Sequence, residues 1–150
     1  MIEFKEINDD NFFRVTELKP GETNTKFVAP NMMSLAQAYT SLVNDDCIPM
    51  PYAIYNDGTL VGFIQLAFVR EDQDEDLKED IYEVWRFMID EKFQGLGYGQ
   101  EALVKAIDYI QTFPQGPANK LFLSYVPGNV AGEHIYTKAG FVANGQVEDG

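Results

Sequence analysis

Apolar residues recur along this chain with two different periods, and the switches between them mark its elements. Ile2 to Ile7 alternates apolar and polar positions well enough for a first strand. Asn8-Asp9-Asp10 then supplies capping side chains for a helix through about Leu18, broken at Pro20-Gly21. From Ser34 to Val43 the spacing is helical, and Leu35, Ala38, Tyr39 and Leu42 form its expected buried face. Pro49, Pro51 and Asp57-Gly58 bracket a short strand, Tyr52 to Tyr55. The turn Asn56-Asp57-Gly58 starts a hairpin whose returning strand is Leu60 to Val69. A charged loop, Glu71 to Asp80, precedes the strongly apolar Ile81 to Ile89, expected as a central strand. A helix from Gly99 to about Thr112 buries Leu103, Ile107 and Ile110. Leu121 to Tyr125 reads as a strand and Asn129 to Ala139 as a helix stopped by Gly140. Phe141 to Val147 is a last, weaker strand. The order predicts a mixed α/β fold with a strand–glycine loop–helix unit at its middle.

Composition narrows what such a fold does. With 150 residues, 45% of them hydrophobic, the chain suits one domain with a real core. No apolar run approaches the roughly 18 residues needed to span a bilayer, so no membrane role is expected. The start, MIEFKEINDD, has no basic region followed by an apolar one, so a cytoplasmic location is expected. The single cysteine, Cys47, and single histidine, His134, exclude an internal disulfide and the common Cys/His metal sites, and no metal is expected. Eleven basic against 24 acidic side chains leave a net charge of −13. That field repels nucleic acid and attracts small cations such as polyamines. The acids of Asp72 to Glu83 mimic a calcium loop, but Leu77 stands where its sharp turn needs glycine. Cys47 follows Asp45-Asp46, neighbours that raise a thiol pKa and disfavour a reactive thiolate.

The candidate chemistry begins at Gln94-Gly-Leu-Gly-Tyr-Gly-Gln, between a strand and a helix. Alternating glycines let backbone N–H groups converge, and the helix start behind them is electropositive, a cradle suited to a pyrophosphate. The spacing fits neither a Walker loop, since no lysine follows Gly99, nor a dinucleotide fingerprint. From the loop alone, a tight turn packed by glycines stays open beside the phosphate cradle.

Gln94-x-x-Gly97-x-Gly99 resembles the Q/R-x-x-G-x-G/A motif of the GNAT N-acetyltransferase superfamily, and the string from Trp85 to Leu103 is similar to its bacterial spermidine/spermine acetyltransferase-like branch. Asn129 to Phe141 matches a second family pattern, N-x-x-[small]-x-x-[apolar]-Y-x-x-x-G-F, with Tyr136 at its tyrosine. The resemblance covers nearly the whole chain. It implies a single domain over residues 1–150, with a central mixed, mostly antiparallel sheet splayed between two parallel strands and flanked by helices. The chain stops at Gly150, where family members usually continue into another strand. That strand is then missing from this sequence or supplied by a neighbouring subunit.

The resemblance also assigns roles. Acetyl-CoA is the implied cosubstrate, its pantetheine arm laid like an added strand along Phe87, Met88 and Ile89. A backbone N–H near Met88 would polarise the thioester carbonyl. Gln94, Gly95, Gly97, Tyr98, Gly99 and Gln100 would hold the pyrophosphate, and Asn129 the pantetheine arm. Tyr136 would protonate the departing thiolate. An alkylamine of pKa about 10.4 is neutral in only about one molecule in two thousand at pH 7, so a base is needed. Glu83 stands where some superfamily members carry theirs; a surface carboxylate balancing Arg86 is the competing reading. The implied reaction is acetyl transfer to a small primary amine, such as a polyamine, by direct attack in a ternary complex, with a homodimer expected. A non-catalytic acyl-CoA-binding module and a protein N-acetyltransferase are the alternatives. Arg86 is a departure, because a cation suits a polycationic acceptor poorly, unless it is turned to the other face and ion-paired.

Overall fold

The computed structural model describes residues 1–21, 29–123 and 136. In chain order its elements are β1 (Ile2–Lys5), α1 (Phe12–Glu17), α2 (Asn31–Asn44), β2 (Ile48–Asn56), β3 (Thr59–Val69), β4 (Ile81–Ile89), α3 (Tyr98–Ile110) and β5 (Leu121–Leu123). They make a five-stranded sheet in the order β1-β2-β3-β4-β5. The first four strands are antiparallel neighbours, and β5 runs parallel to β4. The expected mixed α/β architecture is therefore present. The helix and strand expected at 129–139 and 141–147 lie outside the described residues, as do Asn129 and His134. No helix among the described residues is long and apolar enough to cross a membrane.

β4 is an interior strand, as expected, flanked by β3 and β5, and β3 beside it is the most deeply buried. Every residue from Val61 to Val69 is buried, because β3 is covered on both faces. On one face α3 packs Ala102, Ala106 and Ile110 against Ile54, Ile64, Leu66, Tyr82 and Val84. On the other, Val15 of α1 meets Ala53, Phe63 and Met88, with Leu35 of α2 beside them. Farther along this second face, Cys47, Ala67, Val69 and Ile81 cluster with Trp85 and Phe122.

Several boundaries differ from the periodicity. β1 ends at Lys5, before Ile7. The α1 cap is Asn11 rather than Asn8-Asp9-Asp10, which are used in a turn: Asn8 carbonyl accepts from Phe12 N–H at 2.8 Å, and Asn8 Oδ1 from Asp10 N–H at 2.9 Å. β2 starts at Ile48, four residues before the expected Tyr52, and carries Pro49 and Pro51 inside it. The prolines are tolerated because β1 pairs only with Ala53–Asn56, which leaves their stretch as an edge.

The largest correction concerns α2. Half of its expected core face is turned out, with Tyr39 68% and Leu42 59% exposed; Leu35 is partly buried, and Ala38 is buried as expected but in company with Asn31, Ser34 and Ser41. The buried face lies roughly 70° around the helix from the apolar one. The sheet beneath explains this. Gln65 Nε2 donates to Ser34 carbonyl at 3.1 Å, Arg86 Nη2 to Gln37 Oε1 at 2.9 Å, and Asn31 Nδ2 to Val15 carbonyl at 2.8 Å. Buried polar groups on the sheet need partners, and a helix face of small and polar residues supplies them.

Candidate active site

β4 organises the site. Its ladder with β3 pairs Phe63 with Met88, Gln65 with Arg86 and Ala67 with Glu83, and the register shifts beside Gln65, so that Trp85 is an extra residue. Side chains alternate across a regular strand, which would put Glu83 and Arg86 on opposite faces. The bulge cancels one alternation. Glu83, Arg86 and Met88 thus share the face under α2, whereas Phe87 and Ile89 turn toward the α3 core.

On its other edge β4 pairs with β5 over Tyr82–Val84, as far as β5 is described. Past Ile89 the chain enters a short 3₁₀ turn, Glu91–Phe93. The buried Asp90 carboxylate caps it, accepting from Lys92 N–H at 3.2 Å, and also accepts from Lys19 N–H at 2.9 Å. Gln94 is exposed, and its side-chain amide donates to Pro20 carbonyl at 2.8 Å and Ile89 carbonyl at 2.9 Å. The side chain of Gln94 therefore braces the loop to the segment after α1.

The glycine loop is built by backbone conformation. Gly95 and Gly97 have φ +79° and +85°, and a Cβ at either would meet nothing within 4 Å. Glycine is required there by the left-handed backbone, and the loop faces open space. Gly97 is the N-cap of α3, so the helix's electropositive start opens onto the loop, with Gly99 and Gln100 in its first turn. Tyr98 is anchored away from the loop: its hydroxyl accepts from Asn56 Nδ2 at 3.1 Å. The carboxylate of Glu101, in that same first turn, accepts from Ile2 N–H at 3.3 Å.

Burial shifts three titratable groups of interest. Burial pushes the Cys47 thiol up, with Glu83 and Asp46 adding to the rise against a hydrogen bond from Ser41 that opposes it. The resulting thiol is a poor nucleophile. Arg86 is half-buried, and its pKa is lowered by desolvation while Glu83 pulls the other way. Tyr136, helical and half-buried, has its hydroxyl pushed up to about 12 by burial. Among the described residues no three His, Cys, Asp or Glu side chains gather to hold a metal ion.

Sequence periodicity missed Gln37 and Gln65. A signal for Gln65 was present: it is the one amide side chain in the apolar run from Leu60 to Val69.

A family model described as the acetyltransferase (GNAT) family matches residues 12–141. A spermine/spermidine N(1)-acetyltransferase of Bacillus subtilis is 27% identical over 148 residues, covering 98% of this chain and 91% of the relative. Among solved structures, the aminoglycoside acetyltransferase AAC(6')-Ib in complex with coenzyme A superposes with a TM-score of 0.75 at 15% identity, covering 98% of this chain and 87% of that one. AAC(6')-Iy with a bisubstrate analogue joining CoA to an acetylneamine superposes at 0.65 and 16% identity, covering 99% and 96%.

Proposed function

The chain belongs to the GNAT acetyltransferase family, and from that premise we propose that it transfers acetyl from acetyl-CoA to a small primary amine by direct attack in a ternary complex. The observation that carries this reading is the glycine loop that follows β4, open at left-handed Gly95 and Gly97 and lying at the start of α3. A pyrophosphate suits such a loop, and in this reading an arm with amide groups lies along β4 as an added strand does. Small amines, polyamines among them, are the acceptor class, because the Bacillus relative is named for spermine and spermidine and the net charge of −13 attracts cations. A cytoplasmic location and a homodimer complete the reading.

Acetyl-CoA supplies the acyl group, and the protein's own residues do the rest. In this reading Phe87, Met88 and Ile89 hold the pantetheine arm, with the N–H near Met88 directed at the thioester oxygen. Gln94, Gly95, Gly97, Tyr98, Gly99 and Gln100 form the pyrophosphate loop; Gln94 and Tyr98 fix its shape, and the glycines and helix start provide donors. Asn129 steadies the arm. Glu83 takes the proton from the acceptor ammonium, and Tyr136 donates to the sulfur as it leaves.

Acetyl-CoA at 100 times its dissociation constant should stabilise the chain by about 2.7 kcal/mol, a rise of about 5–10 °C in melting temperature. No rise at millimolar acetyl-CoA sinks the reading. Glu83→Gln should lower kcat at pH 7 by about 100-fold. The deficit should shrink toward pH 10, where the amine deprotonates unaided. A deficit that stays constant across that range removes Glu83 from the role of base.

A further inference from the structure

Arg86 is the feature that acetyl transfer leaves unused. It sits two residues before Met88, about 7 Å along the strand, on the same face as Glu83. Its Nη2 donates to Gln37 Oε1 at 2.9 Å and its Nη1 to Trp85 carbonyl at 3.0 Å. The guanidinium carbon lies 5.7 Å from the Trp85 ring centroid. Both acceptors are neutral, so these contacts orient the head group and leave its charge to Glu83. In a chain with 24 carboxylates, Arg86 makes no ion pair among the described residues, while Arg70 pairs with both Asp45 and Asp72. Glu83 is the charged group that faces it, acting at longer range. A guanidinium carries five donors in a planar fork, and the two neutral acceptors occupy only part of it.

The residue opposite in the ladder is also incomplete. Gln65 is fully buried, its Nε2 donates to Ser34 carbonyl, and its Oε1 has no donor. Reversing the amide would set two oxygens against each other, so the orphan is an acceptor. Facing residues of an antiparallel pair stand about 4.5–5.5 Å apart at Cα. A cation with no ion pair among the described residues and an unmet acceptor therefore lie side by side under α2. A bare diamine brings only cations to Arg86, and like charge there is repulsive. An amino acid with a side-chain amine brings a carboxylate for the fork, and its ammonium groups spare it the repulsion that the acidic chain exerts on anions.

We propose that Arg86, oriented by Gln37 and Trp85, makes this enzyme select an acceptor carrying a carboxylate together with its reactive amine, an amino acid or peptide-like amine in preference to a bare diamine. The inference rests on the acetyl-transfer reading and changes only the acceptor within it.

The test compares acceptors that differ by one carboxylate: L-lysine against cadaverine and L-ornithine against putrescine, with spermidine alongside. Wild-type kcat/KM should be about tenfold or more higher for the amino acid in each pair, through KM. In Arg86→Gln, and less completely in Arg86→Lys, that ratio should fall toward one. A fold defect would scale both members of a pair equally, so the ratio separates recognition from stability. Diamines or spermidine acetylated as well as the amino acids by the wild type overturn this proposal and leave the acetyl-transfer reading standing. If no amine is acetylated although acetyl-CoA raises the melting temperature, the transfer reading fails and this proposal with it.

Discussion

Tyr136→Phe is expected to lower kcat by about 10- to 100-fold while leaving the affinity for acetyl-CoA within about twofold. The size follows from acidity. Burial holds the Tyr136 hydroxyl at about 12, against about 8.5 for an ordinary thiol, so outright proton loss to the leaving sulfur is uphill. Its contribution is then a hydrogen bond that strengthens as charge builds on sulfur. Charge-assisted bonds contribute about 1.5–3 kcal/mol, which sets the range. An interaction made mainly in the transition state changes kcat, whereas one made equally to bound acetyl-CoA changes affinity. The pH dependence has a definite sign. A tyrosine raised from 10 to about 12 stays protonated through the neutral and mildly alkaline range, so its ionisation should not reduce kcat below about pH 10. Equal losses in kcat and in acetyl-CoA affinity, or no loss in either, rule out the role.

Gly62→Ala should be the most damaging single-methyl change in the described sheet. A Cβ at Gly62 would stand 2.5 Å from Met88 carbonyl oxygen, 2.9 Å from Ile89 Cδ1 and 3.3 Å from Ile89 Cα. The obstacle is largely backbone of β4, so relief requires the strand itself to move. Overpacking of this kind costs about 3 kcal/mol, or about 6–12 °C of melting temperature at this size. Met88 and Ile89 are also the proposed pantetheine contacts, so the surviving fold should bind acetyl-CoA more weakly. Gly58→Ala is the control: its Cβ meets nothing within 4 Å, and only its φ of +84° opposes a side chain. That strain costs about 1–2 kcal/mol. Paired melts, with and without acetyl-CoA, give both quantities. Equal stability of the two variants would show that β4 yields freely at this point.

Much of the frame was legible from local pattern. The Asn56-Asp57-Gly58 turn, the run of β3, the extent of β4 and the helix after the glycines depend on neighbours in sequence, and each stands where periodicity put it to within a few residues. The glycine loop was legible for a similar reason: positive φ at Gly95 and Gly97 is a local demand that only certain residues meet. Pro49 and Pro51 misled because their cost depends on whether a neighbouring strand needs their N–H, which is a property of the sheet. α2 misled for a deeper reason. Its apolar stripe is plain in sequence, yet Gln65 and Arg86 on the sheet pull its polar side inward.

By itself, then, the sequence determined the order of elements, the acidic field, the glycine-loop chemistry and the family motifs, because each is written in residue type and spacing. The tertiary structure alone decided which groups meet. The bulge at Trp85 brings Glu83, Arg86 and Met88 to one face, and the rotation of α2 sets Gln37 on Arg86. Both depend on long-range register and on satisfying buried polar groups, and neither leaves a period in the chain.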